Sequence, residues 1–255
     1  MNAAEDRSVD CDVLVVGSGA SGLTAAVTCA AKGLDVIVIE KCPMIGGTTA
    51  RAGGGMWIPG NRQCAEHGLG DSPELAREYI RACAGNLYDP DRVDAFLANA
   101  PKMLEFLEAN TAATFDLSPL YADYHQTYPG ARPGGRTVFP SPLDARVNMD
   151  DVKRFAPSVP EFSLFGMRIG SGRELQHFLH AMHSARSFLY VARRLLGHFG
   201  DLVRYGRSTR LTNGQALLVR RQVFWDNRLF ELTEAIVHQG YHFMLPPLGE
   251  ASGVV

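Results

Sequence analysis

The stretch from Asp12 to Glu40 constrains the fold more tightly than any other part of the chain. A short apolar run, DVLVV from Asp12 to Val16, leads into Gly17, Gly19 and Gly22, spaced G-x-G-x-x-G. Such a run ending in glycines reads as a strand buried on both faces of a parallel sheet. Ala20 to Lys32 then reads as a small-residue helix stopped by Gly33, where a left-handed cap is wanted. Asp35 to Ile39, DVIVI, is a second buried strand. Strand, helix and strand make a βαβ unit with a right-handed crossover. The three glycines serve in turn a tight bend, close backbone approach to a pyrophosphate, and close helix packing. The helix N-terminus directs free N–H groups and the positive end of its dipole at the phosphates. Glu40 closes the second strand 18 residues past Gly22, near the spacing of about 20 at which an acid meets a ribose. Its charge repels a 2′-phosphate, which disfavours NADP.

The glycine pattern alone leaves open which dinucleotide is bound. The next segment, KCPMIGGTTARAGGGMWIP from Lys41 to Pro59, favours FAD, because a nicotinamide enzyme more often proceeds to another crossover helix. Residues 42–60 read as a long loop crossing the sheet. Gly46, Gly47, Thr48 and Thr49 can bring N–H groups and hydroxyls to a second phosphate, and Gly53, Gly54 and Gly55 let the chain pass flat against a large ring. A flexible surface loop is the competing reading, and it would leave Met56, Trp57 and Ile58 exposed at a cost.

Further along, Ser72 with Pro73 and Asp89 with Pro90 mark helix starts. Val93, Phe96, Leu97, Ala100, Leu104 and Leu107 hold a helical stripe that Pro101 should kink. Leu117 to Pro160 reads as mostly irregular, as suits a cap lying over a site. Ser171 and Glu174 have capping-box spacing, and apolar residues from Leu175 to Phe199 trace one face of a single long helix. Arg186, Arg193, Arg194, Arg204, Arg207 and Arg210 form a basic stretch with Asp201 opposing. Such a run ordinarily reads as solvated surface, with peripheral contact at a membrane as the alternative. His177, His180 and His183 read as a polar helix face rather than a metal site.

The balance of 25 Lys+Arg against 27 Asp+Glu gives no electrostatic case for nucleic acid as a partner. Five cysteines without a CxxC pair fit neither a disulfide framework nor a zinc site. The polar N-terminus lacks the cationic start and apolar stretch of a secretory signal, and no run has the 18 or so apolar residues of a membrane span. The expectation from these features is a cytoplasmic protein without stable membrane insertion. Hydrolase elbows, P-loops and metalloprotease motifs are not found in the sequence.

Taken together, CDVLVVGSGASGLTAA from Cys11, VIVIEK to Lys41, GGTTARAGGGMWIPGN to Asn61 and YADYHQTYPGARPGGR to Arg136 give a sequence that resembles the 3-ketosteroid Δ1-dehydrogenases. These lie within the flavoprotein superfamily of fumarate reductase and succinate dehydrogenase. LTNGQAL, Leu211 to Leu217, is a weaker echo. The resemblance implies an α/β architecture: a Rossmann-like FAD-binding domain of the GR2 type, with a partial helical and irregular cap or substrate region. The expected division is 10–116 for the FAD-binding region, 117–218 for the cap and 219–255 for a divergent tail.

It implies FAD held by Gly17, Ser18, Gly19, Ala20, Ser21, Gly22, Glu40, Lys41, Gly47, Thr48, Thr49, Ala52, Gly53, Gly54 and Gly55, without a metal. The implied reaction removes two hydrogens from ring A of a small-molecule substrate, a 3-ketosteroid. Hydride passes to the flavin and a proton to a tyrosine system that includes Tyr124, the electron acceptor being open. An ordinary tyrosine pKa of about 10 requires a polarising partner for that role, and a half-buried aromatic reads equally well. Relatives of this kind run longer, and nothing after Leu218 matches their second halves, so the chain reads as truncated. Two further readings stay open: a fumarate-reductase-like enzyme on a small unsaturated acid, gripped by Arg132 and Arg136, and a non-catalytic nucleotide-binding remnant.

Overall fold

A computed structural model describes residues 10–146, 154–157, 159–171, 173–206 and 208–222; Arg207 and nearly all of the expected tail lie outside them. β1 (Val13–Val16) pairs in parallel with β2 (Val36–Ile39), Val13 opposite Val36 and Val16 opposite Ile39. The crossover between them is α1 (Ala20–Ala31), and Gly33 follows it with φ 81°. Val15, Val36 and Val38 pack against Ala26 of α1 in one small core. The expectation of strands buried on both faces holds for one face of β1: Leu14 and Val16 on the other are 50% and 70% exposed. The burial of β1 is therefore on the face that α1 covers.

The glycine-rich stretch is more ordered than a loop. It forms a 3-10 turn (Gly47–Arg51) and then β3 (Met56–Trp57). After the short α2 (Arg62–Glu66) come α3 (Pro73–Ala84) and α4 (Pro90–Asn110). Ser72 and Asp89 cap α3 and α4, accepting from the backbone N–H of Leu75 and Arg92. Pro101 sits inside α4 without ending it. Leu97, Ala100, Leu104 and Leu107 are its buried face.

The segment expected to be irregular starts at the end of β4 (Phe115–Leu117) and holds β5 (Thr137–Pro140), which runs antiparallel between β3 and β4. This sheet joins residues on both sides of position 116. Every residue of β5 is buried, because α4 and the last helix close over it in a core with Leu104, Leu107, Phe115, Val138 and Leu217. Two small antiparallel pairs follow, β6 (Leu143–Asp144) with β9 (Arg210–Leu211), and β7 (Ser163–Leu164) with β8 (Met167–Arg168).

The single long helix read from the sequence is two helices, α5 (Arg173–Leu179) and α6 (Ala185–Tyr205). Ser184 starts the second by accepting from the Ser187 N–H, and that competing cap breaks the run. The capping box is also different from expectation. Glu174 reaches Gly170 N at 2.7 Å, and its other oxygen accepts from Tyr190 and Arg194 at 3.0 and 2.7 Å. Three converging donors, two of them from α6, outweigh a local cap. The final element is α7 (Asn213–Gln222).

Candidate functional site

The glycine turn, the end of β2 and the second glycine loop meet at Ser18, which is buried. Its N–H and hydroxyl both donate to Glu40 Oε2, at 2.9 and 2.6 Å, and its Oγ accepts from Gly46 N at 2.9 Å. Glu40 Oε1 accepts from Cys42 N at 3.1 Å. Burial alone would raise the Glu40 pKa; the hydrogen bonds from Ser18, Cys42 and Lys41 win and hold it below the ordinary value. The carboxylate therefore stays charged, with lone pairs left over for further donors.

Gly17 has φ 101°, and a Cβ at Gly22 would overlap the Gly17 carbonyl oxygen. Glycine at both positions is thus a steric requirement of the turn. α1 opens at Gly19, and its first N–H, from Ala20, donates to Thr49 Oγ1 at 3.0 Å. Gly47 faces Gly19 across the gap. Gly19, Ser21, Gly47 and Thr48 keep solvent access, so the start of α1 and the 3-10 turn together line a cradle that side chains on Gly19 and Gly47 would fill. Lys41 is exposed beside Glu40.

From Thr49 the chain continues into Ala52, Gly53, Gly54 and Gly55, which form one wall of a cavity of ≈ 960 Å³. Trp57, Tyr79, Tyr121, Tyr124, Phe139 and Leu175 are among its other walls. Tyr124 is 87% exposed at this cavity rather than half-buried. Tyr121 lies next to it, with a pKa raised first by burial and then by the neighbouring Tyr124. Burial likewise raises Tyr79, whose Oη accepts from His125 N at 3.1 Å. Tyr79 and Tyr121 are neutral at ordinary pH and can act as hydrogen-bond donors.

Beneath the cavity lies a buried ionic hub that sequence reading did not find. Arg136 is 0% exposed. It donates Nε and Nη2 to Asp71 at 3.1 and 2.9 Å, and Nη1 to Asp123 at 2.8 Å. Its guanidinium lies 5.5 Å from the Trp57 ring, whose Nε1 donates to Asp123 at 2.7 Å. Arg132 Nη2 donates to the Leu69 carbonyl. Both arginines offered as grips for a substrate carboxylate are therefore engaged inside the protein, and neither lines the cavity.

The loop's last constraint was also missed: Asn213, with φ 59°, and Gly214 pack backbone to backbone against it. A Cβ at Gly54 would come within 2.6 Å of Gly214 N. The sequence signal for this was the Asn-Gly pair in LTNGQAL; the only signal for the hub was Asp123 in the same motif as Arg136, and Asp71 lies outside every motif.

Residues 12–243 match the FAD binding domain family. The chain belongs to that family. Within it, the chain is 39% identical over 214 residues, 84% of its length, to the 4-oxocyclohex-2-ene-1-carboxylate 5-dehydrogenase of Sinomonas cyclohexanicum, covering 36% of that relative. It is 44% identical over 147 residues, 58% of its length, to the 3-oxosteroid 1-dehydrogenase of Mycobacterium tuberculosis (strain ATCC 25618 / H37Rv), covering 26% of it. Its fold is similar to the crystal structure of 3-ketosteroid delta1-dehydrogenase from Sterolibacterium denitrificans in complex with 1,4-androstadiene-3,17-dione. That match has TM-score 0.74 and 32% identity, over 83% of this chain and 38% of that one. The chain thus spans well under half the length of these relatives.

FAD is the cofactor of this family, and the residues present fit it. The Gly19–Gly47 cradle offers backbone N–H groups at a helix start, and Glu40 offers a charged acceptor beside it.

Proposed function

We propose that this chain is the FAD-holding and cavity-forming part of a dehydrogenase that introduces a double bond next to the ketone of a ring substrate, with 3-ketosteroids as the preferred class. The carrying observation is the ≈ 960 Å³ cavity, walled by aromatic and aliphatic side chains and bounded on one side by Gly53, Gly54 and Gly55. Gly17 to Gly22, Glu40, Lys41, Gly47, Thr48 and Thr49 would hold the adenosine diphosphate half of FAD, and Ala52 to Gly55 would run against its ring. Bound FAD supplies the acceptor for hydride.

The chain's own residues orient the ring substrate and handle its proton. A hydroxyl donated to the ketone oxygen acidifies the neighbouring C–H, and Tyr121, at the cavity and with its pKa raised above the ordinary tyrosine value, is suited to donate. Tyr124, beside Tyr121 at the cavity and open to solvent, is the group proposed to relay the proton outward.

The small-acid reading is weakened by the engagement of Arg132 and Arg136, since among the described residues no Arg or Lys lines the cavity to meet a carboxylate. To test the proposal, the purified chain is reconstituted with FAD and titrated without air with a 3-oxosteroid and a 4-oxocyclohexene carboxylate, and its dithionite-reduced flavin is challenged with fumarate. Bleaching of the flavin absorbance by the steroid supports the reading. Binding of FAD with bleaching by the oxo-acid alone moves the substrate class, and a chain that takes up no FAD overturns the proposal in favour of a silent remnant.

A further inference from the structure

A second, smaller cavity of ≈ 430 Å³ opens beside the large one. Ser118, Leu120 and Gln176 line both, so the two are joined there. To these shared residues the annex adds His177, His180, Arg186 and Ser187, and none of its lining residues is an Asp or a Glu. Glu174, one turn before His177 on α5, is held away from it by Arg194 at 2.7 Å and by the Tyr190 hydroxyl at 3.0 Å.

Two of the annex side chains are fixed in place. The His177 ring stacks on Tyr190 with centroids 4.4 Å apart, and its Nδ1 lies 3.1 Å from the hydroxyl of Ser187, which is buried. His180 Nδ1 lies 2.8 Å from the Gln176 carbonyl, which can only accept, so that nitrogen carries a proton. Among the described residues neither ring has a partner for Nε2. Arg186 is the costly member. It stands in the first turn of α6, where free N–H groups and the helix dipole disfavour a cation, and that turn holds no acid to compensate it. It is exposed, and makes no ion pair among the described residues. An uncompensated cation and two preset imidazoles around a walled space form an arrangement that an anion completes. The annex shares no residue with the wall formed by Gly53, Gly54 and Gly55, so the anion belongs at the end of a substrate remote from the ring that is oxidised.

We propose that the annex is a carboxylate subsite, in which Arg186 and His177 grip an acid group at the end of a side chain carried by the ring substrate. The assignment rests on the ring-ketone reading of the large cavity and narrows it to substrates with an acidic tail.

The test is calorimetric titration of the FAD-reconstituted chain with a 3-oxosteroid whose side chain ends in a carboxylate, and with the methyl ester of the same steroid. The acid is expected to bind about tenfold more tightly than the ester, the gain from one charge-assisted contact. Arg186→Gln should bring the two affinities together, with circular dichroism and unfolding midpoint unchanged because the side chain is exposed. His177→Phe, which keeps an aromatic ring against Tyr190, should lower the preference by about threefold. Equal affinities for acid and ester in the parent chain overturn the proposal and leave the reading of the large cavity standing, as does a preference that survives Arg186→Gln. Binding of neither steroid overturns both. Inorganic phosphate that binds the ester-loaded chain, and no longer does so in Arg186→Gln, also overturns the proposal, because the annex would then serve a free anion rather than the tail of a substrate.

Discussion

Arg136 and its two aspartates are nearly free of solvent, Asp71 and Asp123 exposing 1% and 2% of their side chains. Such a group is held by mutual compensation, and losing one member strands the others. Arg136→Ala should therefore cost about 3–5 kcal/mol in urea unfolding. Arg136→Lys should recover only part of it, since one ammonium cannot reproduce the fork that meets Asp71 through two nitrogens. Glu40 makes a different prediction. Its folded pKa lies below the ordinary value of 4.5. The stabilisation is thus complete above pH 4.5 and is lost as pH falls from there through the folded pKa. Unfolding followed across the acid range should show a shallower acid limb for Glu40→Gln than for the parent chain, with a lower midpoint at neutral pH. Equal slopes would mean that the carboxylate gains nothing from Ser18.

At the scale of elements, α1 has no capping side chain of its own at Gly19 and borrows Thr49 from the following loop. Thr49→Val keeps the shape and removes the acceptor, so it should destabilise by about 1 kcal/mol. It should also weaken FAD binding in a fluorescence titration, with Thr49→Ser restoring both. α1, β1 and β2 were legible because their signals are local: period, glycine position and strand length all point to one answer. The join between α5 and α6 was not. Apolar residues at helical spacing cross it without a break, while the turn between the helices is set by Ser184, which caps the second by accepting from Ser187 N.

At the scale of the whole molecule, α7 ties the parts together. Leu217 belongs to the core over the antiparallel sheet, and Leu218 to the core beneath the glycine loop. Leu218 sits so close to Gly46 that a Cβ there would come within 2.6 Å of its Cδ1. Leu218→Ala should cost about 2–5 kcal/mol and weaken FAD binding as well, because the 3-10 turn rests on it. Leu104→Ala on α4 should cost a similar amount and leave FAD affinity intact, a contrast measurable by pairing unfolding with FAD titration. Equal effects on affinity would show that the loop does not depend on α7.

The βαβ unit, the acid that closes it and the family to which the chain belongs were legible before folding, because each is written in neighbouring residues whose backbone demands are strict. It took the packed chain to engage Arg132 and Arg136 with internal partners, to close Asn213 and Gly214 over the loop, and to turn the apolar side of α6 outward. Asn213 meets Ser171 across 42 residues of chain, and Arg136 meets Asp123 and Asp71 across 13 and 65. Periodicity marks a face but cannot say what lies against it, since burial is a property of the packed chain.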